Sequence, residues 1–197
     1  MKKLVLLLLT GALLSTTHAQ IKFGLKAGLN LSNISGSEVS GAKMKTDFNG
    51  GAFVQIPVGE MFAVQPEVVY SGQGTKSSFD GADFKINLGY VNVPVLFQYH
   101  HPSGFFAGTG TQVGFLLSAK EKAGSDHVDI KSQFKSVDFS WAFGVGYLFK
   151  PVNVGIEARF NQGISNVISS EGQQGSSATA HNQVIQIGLI YLFGGGK

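Results

Sequence analysis

The 197-residue chain has no cysteine, and only 14% of its residues are charged. Without cysteine it forms no disulfide framework and carries no lipidated cysteine near its start, so stability rests on sheet closure and packing. Soluble domains carry about a quarter of charged residues, so a water-facing surface built from this composition is short of charge. Long apolar runs are missing too. No stretch is continuously apolar for the roughly 18 residues that a membrane-spanning helix requires. The formal charge of +3 includes Lys2 and Lys3, which leaves the rest of the chain close to neutral. No basic cluster marks a nucleic-acid surface.

What is present is alternation. A basic start at Met1, Lys2 and Lys3, an apolar run from Leu4 to Leu14 and a small-residue exit at Thr17-His18-Ala19 have the form of a secretory signal peptide. Residues 1–19 are expected to be cleaved, leaving residues 20–197 as one domain. From there apolar residues recur at every second position, the period of a strand with two unlike faces. Ile21, Phe23, Leu25, Ala27, Leu29 and Leu31 alternate with Lys22, Gly24, Lys26, Gly28, Asn30 and Ser32. The pattern returns over 48–58, 61–71, 105–117, 136–149 and 152–161. In another strand Val91, Val93, Val95, Phe97 and Tyr99 oppose Asn92, Pro94, Leu96 and Gln98. Its phase breaks before Gly89, as at a bulge, and Pro94 lacks a ladder donor and so predicts a local irregularity. The last strand, Asn182 to Phe193, puts Ile185, Ile187, Leu189, Tyr191 and Phe193 on one face and Gln186, Gly188, Ile190 and Leu192 on the other.

Eight such strands are joined alternately by short turns and by long polar segments at 32–47, 72–84, 118–135 and 163–181. The expected fold is all-β: an eight-stranded antiparallel up-and-down transmembrane β-barrel in a bacterial outer membrane. The long segments would be external loops, and the short turns and both chain ends would face the periplasm. The third loop carries Lys120, Glu121, Lys122, Asp126, Asp129, Lys131 and Lys135, a mixture of signs that suggests solvation rather than a docking patch.

Alternation alone also fits a soluble barrel. The difference lies in which face is bulky. Turned outward to water, the face of Gly24, Gly28, Gly108, Gly110, Gly114, Gly144 and Gly146 would be nearly bare of charge, while Trp141 and many Phe, Tyr, Leu and Val side chains overfilled the interior. Turned the other way, the bulky face meets lipid and aromatics at strand ends form interfacial girdles. The few strand charges then fall inward as a polar network of Lys26, Glu67, Asp138, Glu157 and Arg159. Buried charges must pair or be hydrated. A salt-bridged plug satisfies that, as does a polar path or ligand site, and a wide pore is not expected in so narrow a barrel.

Several stretches taken together resemble a known family: Gly24-x-Lys26-x-Gly28-x-Asn30-x-Ser32, Gln65-Pro66-Glu67 through Tyr70-Ser71-x-Gln73-Gly74, and Tyr90-Val91-Asn92-Val93-Pro94 running on to Tyr99. Ala158-Arg159-Phe160-Asn161-Gln162-Gly163 and the terminal Tyr191-Leu192-Phe193 complete the set. In order and spacing the chain is similar to the PorT-like, porin-labelled outer-membrane β-barrels of the Bacteroidetes type. It departs from them at Phe160, where a tyrosine is expected, and at Gln98, where a lysine is common. The resemblance implies location and shape more than activity. Gln186, Gly188, Tyr191 and Phe193 also resemble the C-terminal signal read by the outer-membrane assembly machinery.

Chemistry is sparse. His100, His101, His127 and His181 all fall in predicted turns or loops, with no serine and carboxylate placed beside them by a recognisable motif. The adjacent His100-His101 pair lacks zinc spacing, and the acids of the third loop lack calcium-loop spacing. No catalytic residue, cofactor or metal is therefore expected. The expected function is that of a non-enzymatic, monomeric barrel whose surface loops serve envelope integrity, adhesion or an unidentified protein partner. Its other partners would be outer-membrane lipid and the assembly machinery. A narrow porin-like channel and an outer-membrane lipid hydrolase are the alternatives.

Overall fold

A computed structural model describes residues 20–36, 43–79, 82–123, 126–169 and 179–193. The expected signal peptide, residues 1–19, and much of the fourth loop lie outside the described residues. Nine strands form: β1 (Lys22–Gly36), β2 (Lys43–Pro57), β3 (Phe62–Phe79), β4 (Ala82–His100), β5 (Phe105–Ala123), β6 (Asp126–Asp129), β7 (Val137–Phe149), β8 (Val154–Gly163) and β9 (Ala180–Phe193). Eight close a ring in the order β1-β2-β3-β4-β5-β7-β8-β9, and β6 is a short addition to the far end of β5. Every pairing is antiparallel. Closure between first and last strands is long, running without a register shift from Phe23↔Phe193 to Gly36↔Ala180, and it removes both open edges.

The alternation sets the faces as expected. Phe23, Leu25 and Leu29 on β1, Phe139, Phe143 and Val145 on β7, and Ile187 and Leu189 on β9 are exposed on the outer wall, while their neighbours in sequence turn inward. Rings pair along that wall near the short turns: Phe62 with Phe97 and Tyr99, Tyr147 with Phe149, and Tyr191 with Phe193 at 5.0–5.6 Å between centroids. Phe48 and Tyr70 stack at 5.1 Å further along the wall. These are the interfacial girdles of a membrane barrel.

The ladders are interrupted at several places, among them a β2–β3 register shift between Met44 and Asn49. The β4–β5 register shifts between Gly89 and Tyr90, but the residue left unpaired is Leu117 of β5, and β4 itself keeps its phase there. Beside β3 the ladder lapses twice without changing register: towards β4 between Pro66↔Val95 and Val69↔Asn92, the level of Pro94, and towards β2 between Phe53↔Glu67 and Ile56↔Val64, the level of Pro66. Each lapse falls where a proline lacks the N–H the ladder needs.

The expected loops are corrected most. Segments 32–47, 72–84 and 118–135 are largely strand: β1 and β2 reach Gly36 and Lys43, β3 and β4 leave only two residues between them, and β5 continues to Ala123. A 3-10 turn at Lys131–Gln133 follows β6. At the other end, Val152 is not part of a strand but of the turn Lys150–Asn153, where Asn153 adopts a φ of 55°. The extended strands escape the apolar-out rule because they rise beyond the lipid, where the outer face meets water.

Candidate functional site

The lumen is filled in layers. Nearest the short turns, Phe53, Phe106, Ile190 and Leu192 pack with Leu148 into an apolar plug. The polar mouth beside it holds His100, whose Nε2 lies 3.0 Å from Gln98 Oε1 and 3.3 Å from Gln55 Nε2. Gln55 donates to Gln65, and Gln65 donates to Glu67 Oε1 at 2.8 Å.

Above the plug sits a neutral quartet of charges. Arg159 on β8 clamps Glu67 on β3 through both of its terminal nitrogens, at 2.8 and 2.7 Å, and its Nη2 also reaches Glu157 at 3.0 Å. Lys26 on β1 donates to Glu157 at 2.6 Å and to Glu67 at 3.4 Å. All four are buried, and the bidentate fork is the strongest form of such a contact. The intervening strands are cut down to let these side chains meet. Gly188 of β9 is paired with Glu157 on one side and Gly28 on the other, and a Cβ on it would lie 2.6 Å from the Ala27 carbonyl oxygen. On β2, Gly51 is paired with Lys26, and a Cβ there would lie 2.1 Å from the Val68 carbonyl.

Asp138 departs from expectation. It is buried and inward-facing but stands apart from the quartet, accepting from Ser165 Oγ at 2.5 Å and from Asn182 Nδ2 at 2.9 Å. The register explains this: Asp138 lies opposite Gly114 towards the outer end of β7, several positions from Gly144, the partner of Arg159. Between the two groups Asn30 is fully buried, donating to Ser71 Oγ and the Gly72 carbonyl and accepting from Asn49 and Gln186. Lys45 pairs with Asp47, whose side chain is partly exposed.

A second apolar layer caps the outer end. Ile34, Leu88, Tyr90, Leu116, Ala119 and Ala180 from the strands pack with Ile130 and Val167 from the connections, and Ile86, Phe134 and Ile168 lean on them. Backbone bonds fasten this lid: Ile130 N–H to the Ala119 carbonyl, Lys135 N–H to Val167 and Val167 N–H to Ala180. Neither apolar layer was anticipated. The inward positions of Phe53, Ile190 and Leu192 follow from the alternation, but in an otherwise polar-and-glycine face their clustering depends on register across the barrel.

The remaining expected site residues divide by face. On β9, Gln186 is buried in the lumen and Gly188 faces it, whereas Tyr191 and Phe193 are exposed on the outer wall with their rings edge to face at 5.0 Å. His101 contacts Ser103 Oγ at 2.8 Å, and no group of three or more metal-ligating side chains forms among the described residues.

A closed antiparallel barrel of eight membrane-length strands, apolar outside and packed within, defines a bacterial outer-membrane β-barrel protein. The chain belongs to the family described as outer membrane protein beta-barrel domain, whose model matches residues 15–169. No curated relative matches the sequence. Among solved structures the chain is similar to Neisserial surface protein A, at 13% identity over 86% of this chain and 96% of that one, with a TM-score of 0.55. It is also similar to OprG from Pseudomonas aeruginosa, at 16% identity over 89% and 97% with a TM-score of 0.49. Ail, the attachment invasion locus protein of Yersinia pestis, matches at 15% identity over 87% and 98% with a TM-score of 0.48. At such identities the likeness concerns the fold.

Proposed function

We propose that the protein is a sealed, non-enzymatic barrel that acts through its extracellular extension, in envelope integrity, adhesion or partner binding, and not by conducting solutes. The observation that carries this is the layered lumen: an apolar plug, a neutral quartet in which both carboxylates and both cations are paired, and an apolar lid fastened by backbone bonds. An aqueous path would have to cross two dry layers. Arg159 and Glu67 hold the wall together from inside, which gives the charged residues a structural role.

Against the hydrolase alternative stands the wiring of a serine, a histidine and an acid that do meet near the rim. Ser165 Oγ donates to Asp138 and accepts from the Phe139 N–H, while His181 Nδ1 lies 2.9 Å from the Ser165 backbone carbonyl. The imidazole is committed to a carbonyl and is not aligned to take the serine proton. The finer resemblance to PorT-like barrels, removal of residues 1–19 and use of Gln186, Gly188, Tyr191 and Phe193 as an assembly signal belong to the same proposal, as does a monomer surrounded by lipid. Planar-bilayer recordings test it: the wild-type barrel is expected to give no steady conductance, and an ohmic conductance at moderate voltage would restore the channel alternative.

A further inference from the structure

The strand extensions line up charges that the sequence scatters over 80 residues. Lys43, Lys76, Lys85 and Lys122 lie on β2, β3, β4 and β5, and each is the registered partner of the next: Lys43↔Lys76, Lys76↔Lys85 and Lys85↔Lys122. Neighbouring strands are about 4.8 Å apart, so four lysines stand in one row across the sheet. Like charges placed directly opposite each other destabilise a sheet. None of the four is in an ion pair with a described residue. The acid between Lys120 and Lys122 does not neutralise the row: Glu121 is registered with Ile86 and Val128 and so lies on the opposite face.

The row's face and height identify what it meets. Ile86 and Leu88 pack inside the barrel, so Lys85 and Asn87 point outward, and Lys76 and Lys122 share the face of Lys85. This is the wall that carries Val91 and Tyr70 lower down. Lys76 lies six residues beyond Tyr70, about 20 Å along the strand. With strands tilted by about 40°, that is about 15 Å above the aromatic ring. The headgroup layer of a simple phospholipid is only about 5–8 Å deep, too shallow to bring its phosphate to the row. Between ring and row the outward positions of β3 and β4 are Gly72, Gly74, Gly89 and Asn87; Asp47 lies over Gly72, and Tyr70 and Ser118 lie over Gly89, so only a headgroup that itself extends this far outward reaches the lysines.

We propose that this lysine row binds the phosphorylated saccharide headgroup of a glycolipid in the outer leaflet. The full-length protein, purified in detergent, is titrated with lipopolysaccharide bearing a phosphorylated core, with the same material dephosphorylated, and with a soluble sulfated heparin fragment. Wild-type protein is expected to prefer the phosphorylated lipopolysaccharide by about tenfold, the scale of one or two charge-assisted contacts. K76Q/K85Q is expected to lose that preference, whereas K131Q/K135Q, which removes the same charge away from the row, keeps it. Without glycolipid, K76Q/K85Q should melt no lower than wild type, because it relieves repulsion; this shows that any lost binding is not lost folding. Equal binding by K76Q/K85Q and wild type overturns the proposal. So does a wild-type protein that binds the soluble fragment but not the lipopolysaccharide, since the row would then serve a soluble polyanion.

Discussion

The two halves of β4 obey opposite rules although they are one continuous strand. From Val91 to Tyr99 the odd positions are apolar and face outward, while Asn92 and Gln98 are buried within. From Lys85 to Gly89 the odd positions are still outward but are now Lys, Asn and Gly, and the apolar residues, Ile86 and Leu88, have moved to the inside. Backbone direction does not change at the boundary; the solvent does. Below, the outer face meets hydrocarbon and the interior takes the polar groups. Above, the outer face meets water and the interior becomes a small conventional core. The same inversion occurs on β9, where outward Ile187 and Leu189 give way to inward Val184 and Ala180, and on β1, where Ile34 turns inward above Leu29.

The comparison is broken most severely in the lower lumen. Arg159→Ala leaves Glu67 and Glu157 with Lys26 as their one remaining cation, and the loss of a buried partner is expected to cost about 3–5 kcal/mol, read as a lower urea midpoint for unfolding from vesicles. Next come charges placed on the lower wall. Phe143→Arg and Ile187→Arg are each expected to cost about 2–4 kcal/mol. Asn87→Arg, on the upper wall, should stay within about 0.5 kcal/mol; equal costs for Phe143→Arg and Asn87→Arg would mean that the two halves share one environment. Leu88→Ala removes apolar bulk from the upper core and is expected to cost about 2 kcal/mol. Its signature is local: faster protease cleavage of the extension with heat-modifiable gel migration unchanged. Smallest in stability is Phe193→Ala, which should slow assembly in cells while deletion of Gly194–Lys197 does not.

This inversion also explains what the sequence does and does not disclose. Where lipid and lumen differ sharply, as from Val137 to Phe149, alternation gives strand, face and inward charge together, and the meeting of Lys26, Glu67, Glu157 and Arg159 follows from closure. Above the membrane both faces carry polar residues, so Lys43–Asp47 and Lys76–Phe79 look like loop although the backbone ladder continues through them. The separation of Asp138 from the quartet and the row of lysines depend on register between strands, which no single strand's pattern contains. The prolines are an intermediate case: Pro94 announces a missing donor, but only the pairing shows that Pro66 repeats the lapse on the other side of Glu67.

A sealed lumen beneath a water-facing extension is tested most directly by single cysteines, since the chain has none of its own. Asn92→Cys places a thiol in the lumen, where the native side chain is 2% exposed, and Ser132→Cys places one on the exposed outer connection. In intact cells a membrane-impermeant maleimide is expected to label Ser132→Cys fully and leave Asn92→Cys unmodified from either side. Labelling of both at similar rates would contradict the account, because it would put bulk water in the lumen that is proposed to be sealed.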